Sequence, residues 1–371
     1  MLSGKKVLLL GPFPPPVHGF SFANQAVEGI LKRNGFATTR CDLSPGQGVY
    51  GWLRTVNFLG RISKMISSTM SRDIGLVYIG LSGGARQLID LLAIAFARIR
   101  NHRIVIHHHS FAYINDKKRL AAIVIKLAGP AATHVVLCAC MGQKLESLYP
   151  EASKRICLSN LALMEDADQV PQQQRGGRSG PLRTVGYLGN ITVEKGFLTF
   201  IDVVERAQRS CPALRAIVGG PFVDKESRDA FELATKRGVS VEHRGAVYGP
   251  AKEDFLAAID LLLFPTRYVN EAEPIVILEA LARGIPVVAS DRGCISEMLP
   301  SAAGLVLGED GWASVDKWLM HLSTDDSKMN DLRLGTCRAA ATMIDGAAVQ
   351  REQWLHDLAA CPEPLPRTGM I

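Results

Sequence analysis

Two glutamates separated by seven residues, Glu271 and Glu279, frame the part of this 371-residue sequence best equipped to do chemistry. Between them Pro274 stands where a helix would open, since a proline at the first helical position gives up an N–H that would have no partner there. The amides of Ile275 and Val276, backed by the helix dipole, would attract an anion such as a diphosphate. Carboxylates beside such an anion make sense if they accept hydrogen bonds from hydroxyls, so the ligand should carry phosphates and hydroxyls together, as a nucleotide sugar does. Glu273 lies in the same loop. A lone pair of glutamates at this spacing is ordinarily two solvated carboxylates. Here the pattern of residues 264–290 gives them weight: strand, loop, helix, a stop at Gly284 and a second strand.

Further polar groups sit at other strand ends. Gly189, Asn190 and Lys195 follow an apolar run and open a helix; a lysine there can neutralise a leaving diphosphate with its compact ammonium. The plainer alternative is an exposed helix-start lysine. The proline-rich residues 12–19 end in Gly19, which would let backbone approach a phosphate at a helix start. His107, His108 and His109 are consecutive and suggest a metal, yet successive strand side chains point to opposite faces. No Cys or carboxylate at zinc spacing accompanies them, so they should divide, one of the three going to the core. Gly219, Gly220 and Pro221 read as a turn after a strand.

The elements that must position these groups alternate. Strands fit residues 6–11, 74–79, 103–107 and 133–138, with helical patterns between them; Cys138 and Cys140 would alternate at the end of the last. A second series of strands fits 184–188, 214–218, 239–243, 260–264 and 286–289, interleaved with helices at 197–208, 225–236, 252–258 and 274–283. Strands alternating with helices of ten or more residues imply parallel sheets with right-handed crossovers. We expect an α/β chain of two doubly wound domains: residues 1–168, a linker at 169–180, residues 181–345, and a C-terminal helix and tail, 346–371, packing back on the first domain.

Composition fits two folded domains, with 47% hydrophobic and 21% charged residues. No apolar run approaches the roughly 18–20 residues of a membrane span, and eight cysteines without C-x-x-C spacing are no disulfide framework. The expected compartment is cytoplasmic. Charge is uneven: residues 1–165 balance at +12 and the remainder at −6. The basic half suits an anionic surface or acceptor. Residues 52–72 interleave Leu53, Val56, Phe58, Leu59, Ile62, Met65 and Ile66 with Arg54, Arg61, Lys64 and Arg72. That pattern fits a core-facing helix with a basic outer face, or peripheral docking on an anionic membrane.

The Glu-x7-Glu segment, followed by Ala-x-Ala-x-Gly-x-Pro-Val-Val-Ala-Ser, resembles the retaining glycosyltransferases of family 4. The resemblance is strong over the second half and rests on loop pattern in the first. It implies the GT-B fold, two Rossmann-like domains facing each other across a cleft. It implies that Glu279 holds the donor ribose, that Glu271 contacts sugar hydroxyls, and that a cleft histidine, His109 first and His107 second, lies close to the transferred sugar. The expected catalytic residues are thus His109, Lys195 and Glu271; Gly19, Gly189, Asn190, Arg267, Glu273, Ile275, Val276 and Glu279 would bind donor. Where many relatives carry an arginine five residues before the lysine, this chain has Asn190, so Arg267 or backbone amides would have to compensate. The resemblance implies transfer of a sugar to a hydroxyl acceptor, a glycan or lipid-linked glycan in surface polysaccharide or glycolipid assembly, with retention of configuration. Neither metal nor cofactor is expected, and the protein would be cytoplasmic or peripheral on the inner membrane face. Asn160 and Glu297 also match family positions.

Other classes fit less well. A nicotinamide dehydrogenase would need Gly-x-Gly-x-x-Gly after an early strand, and no recognised motif or stacking-aromatic array supports nucleic-acid binding. A nucleotide-sugar epimerase of the same fold, or a degenerate binding or scaffold protein, remains open, the latter encouraged by Asn190.

Overall fold

In the computed structural model, described for residues 6–15, 19–44, 52–164 and 179–360, the chain packs as two units: residues 1–164 with 347–371, and residues 165–346. The first unit runs β1 (Lys6–Gly11), α1 (Gly19–Arg33), β2 (Thr38–Asp42), α2 (Trp52–Met70), β3 (Ile74–Leu81), α3 (Gln87–Ile99), β4 (Arg103–His108), α4 (Arg119–Ala128), β5 (Thr133–Val136), α5 (Ala139–Leu148), β6 (Arg155–Cys157) and α6 (Asn160–Leu163). All neighbours in its six-stranded sheet are parallel, in the order β2-β1-β3-β4-β5-β6. The central strands are near-continuous apolar runs because both faces are covered: Val7, Leu8, Leu76, Val77, Val105 and Ile106 are fully buried.

The second unit runs β7 (Thr184–Leu188), α7 (Phe197–Ser210), β8 (Arg215–Gly219), α8 (Lys225–Lys236), β9 (Val241–His243), α9 (Pro250–Ala258), β10 (Leu261–Phe264), α10 (Ile275–Ala282), β11 (Val287–Ser290), α11 (Ile295–Met298), β12 (Gly304–Leu307) and α12 (Val315–Thr324). Its parallel sheet has the order β12-β11-β10-β7-β8-β9. This is the dinucleotide-binding order, and its direction reverses between β7 and β10, where such sheets hold ligands at their carboxyl ends. Tyr187, Phe197 and Phe200 pack ring against ring beneath that point, with centroids 5.3–6.0 Å apart. A long helix, α13 (Asp326–Ala359), begins in the second unit, and from Ala347 onward its residues belong to the first.

Three strands are absent from the sequence reading. β2 is polar (Thr-Thr-Arg-Cys-Asp) and β6 only three residues long; both are edge strands, as is β12. Two local readings are corrected. β5 ends at Val136, and Cys138 caps α5, its sulfur accepting from the Met141 amide, with Cys140 inside the helix. Pro274 is the N-cap of α10 in extended conformation, so the helix begins at Ile275. The open amides are still those of Ile275 and Val276, because proline has no N–H and the Ile277 amide already donates to the Pro274 carbonyl.

Candidate active site

The loop after β7 is fixed from several sides. The Tyr187 hydroxyl donates to the carbonyls of Asn190 (3.2 Å) and Lys195 (3.3 Å). The Val193 amide donates to Asp224 at the start of α8, and the Lys195 amide to Thr192 Oγ1. Gly220, after β8, has φ +131°, and a Cβ there would lie 1.8 Å from the Gly189 carbonyl oxygen. Only a glycine lets these two strand-end loops touch.

This loop meets the one after β10. Gly196 caps α7 at φ +78°, and a Cβ on it would sit 1.7 Å from the carbonyl oxygen of Pro265. The Arg267 amide donates to the Glu194 carbonyl at 2.8 Å. The close approach brings Lys195 to Glu271: its Nζ donates to Oε2 at 2.6 Å and lies 4.7 Å from the centre of the Tyr268 ring. The Thr266 hydroxyl donates to the same Oε2 at 3.0 Å. Glu271 is 8% exposed, so the pair is partly withdrawn from water and its attraction is screened less than a surface pair's.

A second carboxylate–lysine pair stands on α10. Glu279, in the middle of the helix and 8% exposed, accepts from Lys252 Nζ of α9 through Oε1. Arg283 donates to the Glu279 carbonyl at 2.8 Å and clasps Glu253 of α9, tying the two helices together. Ile275 and Val276 are half-buried, and Glu273 is buried in the loop before them.

Of the residues singled out in this unit, the structure brings Lys195 to Glu271 and places Gly189 and Asn190 in the same loop, the Asn190 side chain exposed. Arg267 is different. Its guanidinium hydrogen-bonds neither Glu271 nor Glu279; it lines a cavity of about 260 Å3 with Thr266, Ser290, Arg292, Glu309 and Trp312. The cation beside Glu279 is Lys252, which the sequence reading missed along with Thr266 and Tyr268. Nothing local marks Lys252, because it reaches Glu279 across 27 residues of chain.

In the first unit Gly19 opens α1, and the Phe20 ring lies 5.0 Å from that of His109. The histidines divide by strand alternation, but two of them are core residues where one was expected. His107 and His108 are fully buried. His107 Nδ1 is 2.9 Å from the Tyr78 hydroxyl, while His108 lies between the Tyr113 hydroxyl (3.1 Å) and His134 (2.9 Å). The His109 ring is centred 3.9 Å from that of His107 and tilted 43° to it, and its Nε2 has no hydrogen-bond partner. Burial pushes the His109 imidazole down to about 3 and His134 to about 4, and holds His107 and His108 well below the usual range. All four are neutral near pH 7, so His109 can trade hydrogen bonds with a hydroxyl but holds no proton to give as an acid. The chain does contain one Asp-x-Asp, Asp166 and Asp168, which lies outside the described residues.

Residues 182–322 match the family model described as Glycosyl transferases group 1. The matched segment makes up most of the second unit, which is thus similar to the glycosyl transferases of group 1. The chain is 29% identical over 150 residues to the lipopolysaccharide core biosynthesis mannosyltransferase LpsB of Rhizobium meliloti, covering 38% of this chain and 42% of LpsB. It is 23% identical over 206 residues to GDP-mannose:cellobiosyl-diphosphopolyprenol alpha-mannosyltransferase of Xanthomonas campestris, covering 55% and 52%. The chain thus spans about half the length of these relatives or less. Among solved structures it is similar to Anabaena HepE in complex with UDP, with a TM-score of 0.69 at 16% identity over 96% of this chain and 100% of that one. Such likeness establishes the two-domain α/β GT-B fold, and the segment matched by the family model lies in its second half.

Proposed function

We propose that this chain is a retaining, metal-independent glycosyltransferase that moves a sugar from a nucleotide-sugar donor to a hydroxyl of a glycan or lipid-linked glycan, in surface polysaccharide or glycolipid assembly. The observation that carries this reading is the Lys195–Glu271 pair, held at the switch point of a unit similar to the glycosyl transferases of group 1, four residues before the open end of α10. The named functions of LpsB and the Xanthomonas relative, and the UDP held by HepE, support a nucleoside diphosphate leaving group.

In this mechanism the bond between the sugar's anomeric carbon and the diphosphate oxygen breaks as negative charge builds on the diphosphate. The Lys195 ammonium and the amides of Ile275 and Val276 face that charge already in place, which is where fixed dipoles lower a barrier most. Glu271 commits Oε2 to Lys195 and Thr266, which suits it to positioning Lys195 and accepting from a sugar hydroxyl through Oε1, and suits it poorly to a covalent nucleophile. The acceptor oxygen then attacks on the face the diphosphate leaves, its proton passing to the departing phosphate oxygen. Glu279 Oε2, left open beside Lys252, accepts from a ribose hydroxyl. His109, neutral, hydrogen-bonds a hydroxyl of the sugar, and the backbone at Gly19 approaches the donor.

The basic first unit supports an anionic acceptor at the cytoplasmic face of a membrane. No helix among the described residues is long and apolar enough to cross a bilayer. The side chains of residues 52–56 lie outside the described set; in the rest of α2, Met65 turns into the core and Arg61 reaches back to Asp42 and the Ser44 carbonyl, leaving Phe58 and Leu59 exposed.

Thermal unfolding with a panel of nucleotides and sugar nucleotides, covering uridine and guanosine forms, tests the reading. Ligand at a hundredfold over its Kd should stabilise wild type by about 2.7 kcal/mol, and Glu279→Ala at the same concentration should reduce this to about 0.4–1.4 kcal/mol. No shift with any nucleotide would overturn the proposal in favour of a scaffold. Isomerised donor without transfer would make the chain an epimerase.

A further inference from the structure

α3 presents a contradiction between sequence and environment. Its residues, Gln-Leu-Ile-Asp-Leu-Leu-Ala-Ile-Ala-Phe-Ala-Arg-Ile, are apolar nearly all round, and a helix of that kind is ordinarily buried on every side. Here the inner side packs on the sheet through Ala93, Ile94 and Ala97, while Leu88 is 58% and Ile99 60% exposed. Its neighbour α4 repeats the pattern. Ala121, Val124 and Ile125 face inward, and Ile123 and Leu127, one turn apart, are 53% and 37% exposed. The two helices pack side by side. Their ends adjoin, since the Arg98 guanidinium lies 3.7 Å from where a Cβ on Gly129, the residue ending α4, would stand. Ile99 and Leu127 therefore belong to one patch, with exposed Arg98 and Lys126 beside them.

The electrostatic setting of this patch has one sign. Residues 52–130 hold twelve lysines and arginines against three aspartates and no glutamate, and one of the three, Asp90, is buried. Apolar side chains rimmed by cations match the boundary between acyl chains and acidic headgroups, where aliphatic groups leave water while the long basic side chains reach phosphates. A protein partner would have to combine an apolar surface with a strong acidic rim to match as well.

We infer that the outer face of α3 and α4 docks on an anionic lipid bilayer, Leu88, Ile99, Ile123 and Leu127 entering the interface and Arg98 and Lys126 meeting headgroup phosphates. This deepens the lipid-linked acceptor of the proposed function and rests on that reading for its purpose, while its geometry stands on the first unit alone. It also moves the docking surface from α2 to the two helices that follow it.

The test is flotation of the full chain with vesicles of phosphatidylglycerol and phosphatidylcholine, and with phosphatidylcholine alone. Wild type should float with the anionic vesicles only, and high salt should weaken the partition. Arg98→Gln with Lys126→Gln should lower it about 25-fold, at about fivefold per charge. Ile99→Ser, Ile123→Ser and Leu127→Ser together should bring it down to the phosphatidylcholine level. Leu334→Ser on α13, where the leucine is 56% exposed, should change nothing. All these positions are exposed, and each variant should keep the nucleotide-induced thermal shift of wild type. Vesicle binding unaffected by the triple change, equal binding to neutral lipid, or none to either would overturn the inference. So would a wild-type dimer in light scattering that the triple change converts to monomer, the face then joining two copies of the chain. Wild type that fails to float yet keeps the nucleotide shift defeats the docking surface alone; wild type that floats without any nucleotide shift defeats the proposed function alone.

Discussion

At the carboxyl end of the second sheet the polar groups are ions in pairs, Lys195 with Glu271 and Lys252 with Glu279, each lysine about 30% exposed and each carboxylate near 10%. At the corresponding end of the first sheet they are neutral: four histidines and two tyrosines linked ring to hydroxyl and ring to ring, all but the half-buried His109 withdrawn almost completely from water. Both arrangements pair groups that would be costly to bury alone, the second less completely, since the Nε2 atoms of His107, His109 and His134 have no hydrogen-bond partner, and they suit different ligands. Half-exposed ions can exchange partners with a charged diphosphate at little further desolvation. Neutral imidazoles behind a hydrophobic wall suit uncharged hydroxyls, and they resist any change of charge.

The sharpest way to break this comparison is to remove the charge that faces the leaving group. Lys195→Ala should lower turnover at saturating donor by about 10²–10³-fold, the usual effect of deleting one fixed stabiliser of transition-state charge. Donor affinity should change little, and Lys195→Arg should not restore the rate fully, because a planar guanidinium cannot reproduce a point charge between Glu271 and Tyr268. Equal turnover in wild type and Lys195→Ala would remove the second unit's charges from the chemistry.

Glu279→Ala should act on binding instead, weakening nucleotide affinity about 10- to 100-fold, since a hydrogen bond to a charged group contributes about 1.5–3 kcal/mol. Calorimetric titration of nucleotide checks this. Lys252→Met should weaken binding less, because Glu279 keeps its oxygen for the ribose.

Gly196→Ala tests whether both loops need their close approach. The positive φ alone should cost about 1–3 kcal/mol, and the contact with Pro265 must open, so the melting temperature should fall and turnover with it. A variant equally stable and active would show that Lys195 and Glu271 need no such tight turn.

The smallest effect belongs to the neutral side of the comparison, and its sign follows from burial. The unfolded chain's histidines bind protons as pH falls below about 6.5, whereas folded His109 and His134 do so only near 3 and 4. Native stability is therefore intact above about pH 6.5 and is lost as pH drops toward that range, at about 1.4 kcal/mol per pH unit for each group. Asp90, raised to about 7 by burial, works the other way: its contribution falls as pH rises from about 4 to 7. With four depressed histidines against one raised carboxyl, denaturant melts should show net destabilisation between pH 6.5 and 4, and His134→Gln should flatten the slope. A profile unchanged by His134→Gln would mean that this ring is not held neutral.

Legibility in the sequence followed the length and polarity of each element. β1, β3, β4, β7 and β10 were readable because both faces are buried and the centres of the runs are apolar, while β2, β6 and β12 lie at edges where burial no longer writes a pattern. Glu271, Glu279 and Lys195 were readable because they sit at fixed offsets from strand and helix ends. Lys252 was not, since only the folded α9 brings it to Glu279. That Arg267 lines a cavity instead of bonding either glutamate could not be foreseen, because a side chain's direction out of a loop cannot be read from its neighbours in sequence. The histidine triplet was half legible: alternation separated His108 from the other two, but that His107 also joins the core depends on Tyr78, 29 residues earlier.

The course of α13 bears on how the molecule is made. Trp354, fully buried and edge-on to Tyr78 at 6.1 Å, belongs to the first unit, and Arg103 at the start of β4 donates to the carbonyls of Asp357, Leu358 and Ala360. A ribosome delivers these residues only after all of residues 165–346. The nascent first unit must therefore wait, with Tyr78 and Arg103 lacking those partners, while the second unit emerges and can close on itself. Synthesis order and folding order are thus inverted along this chain: the half translated first is the half completed last.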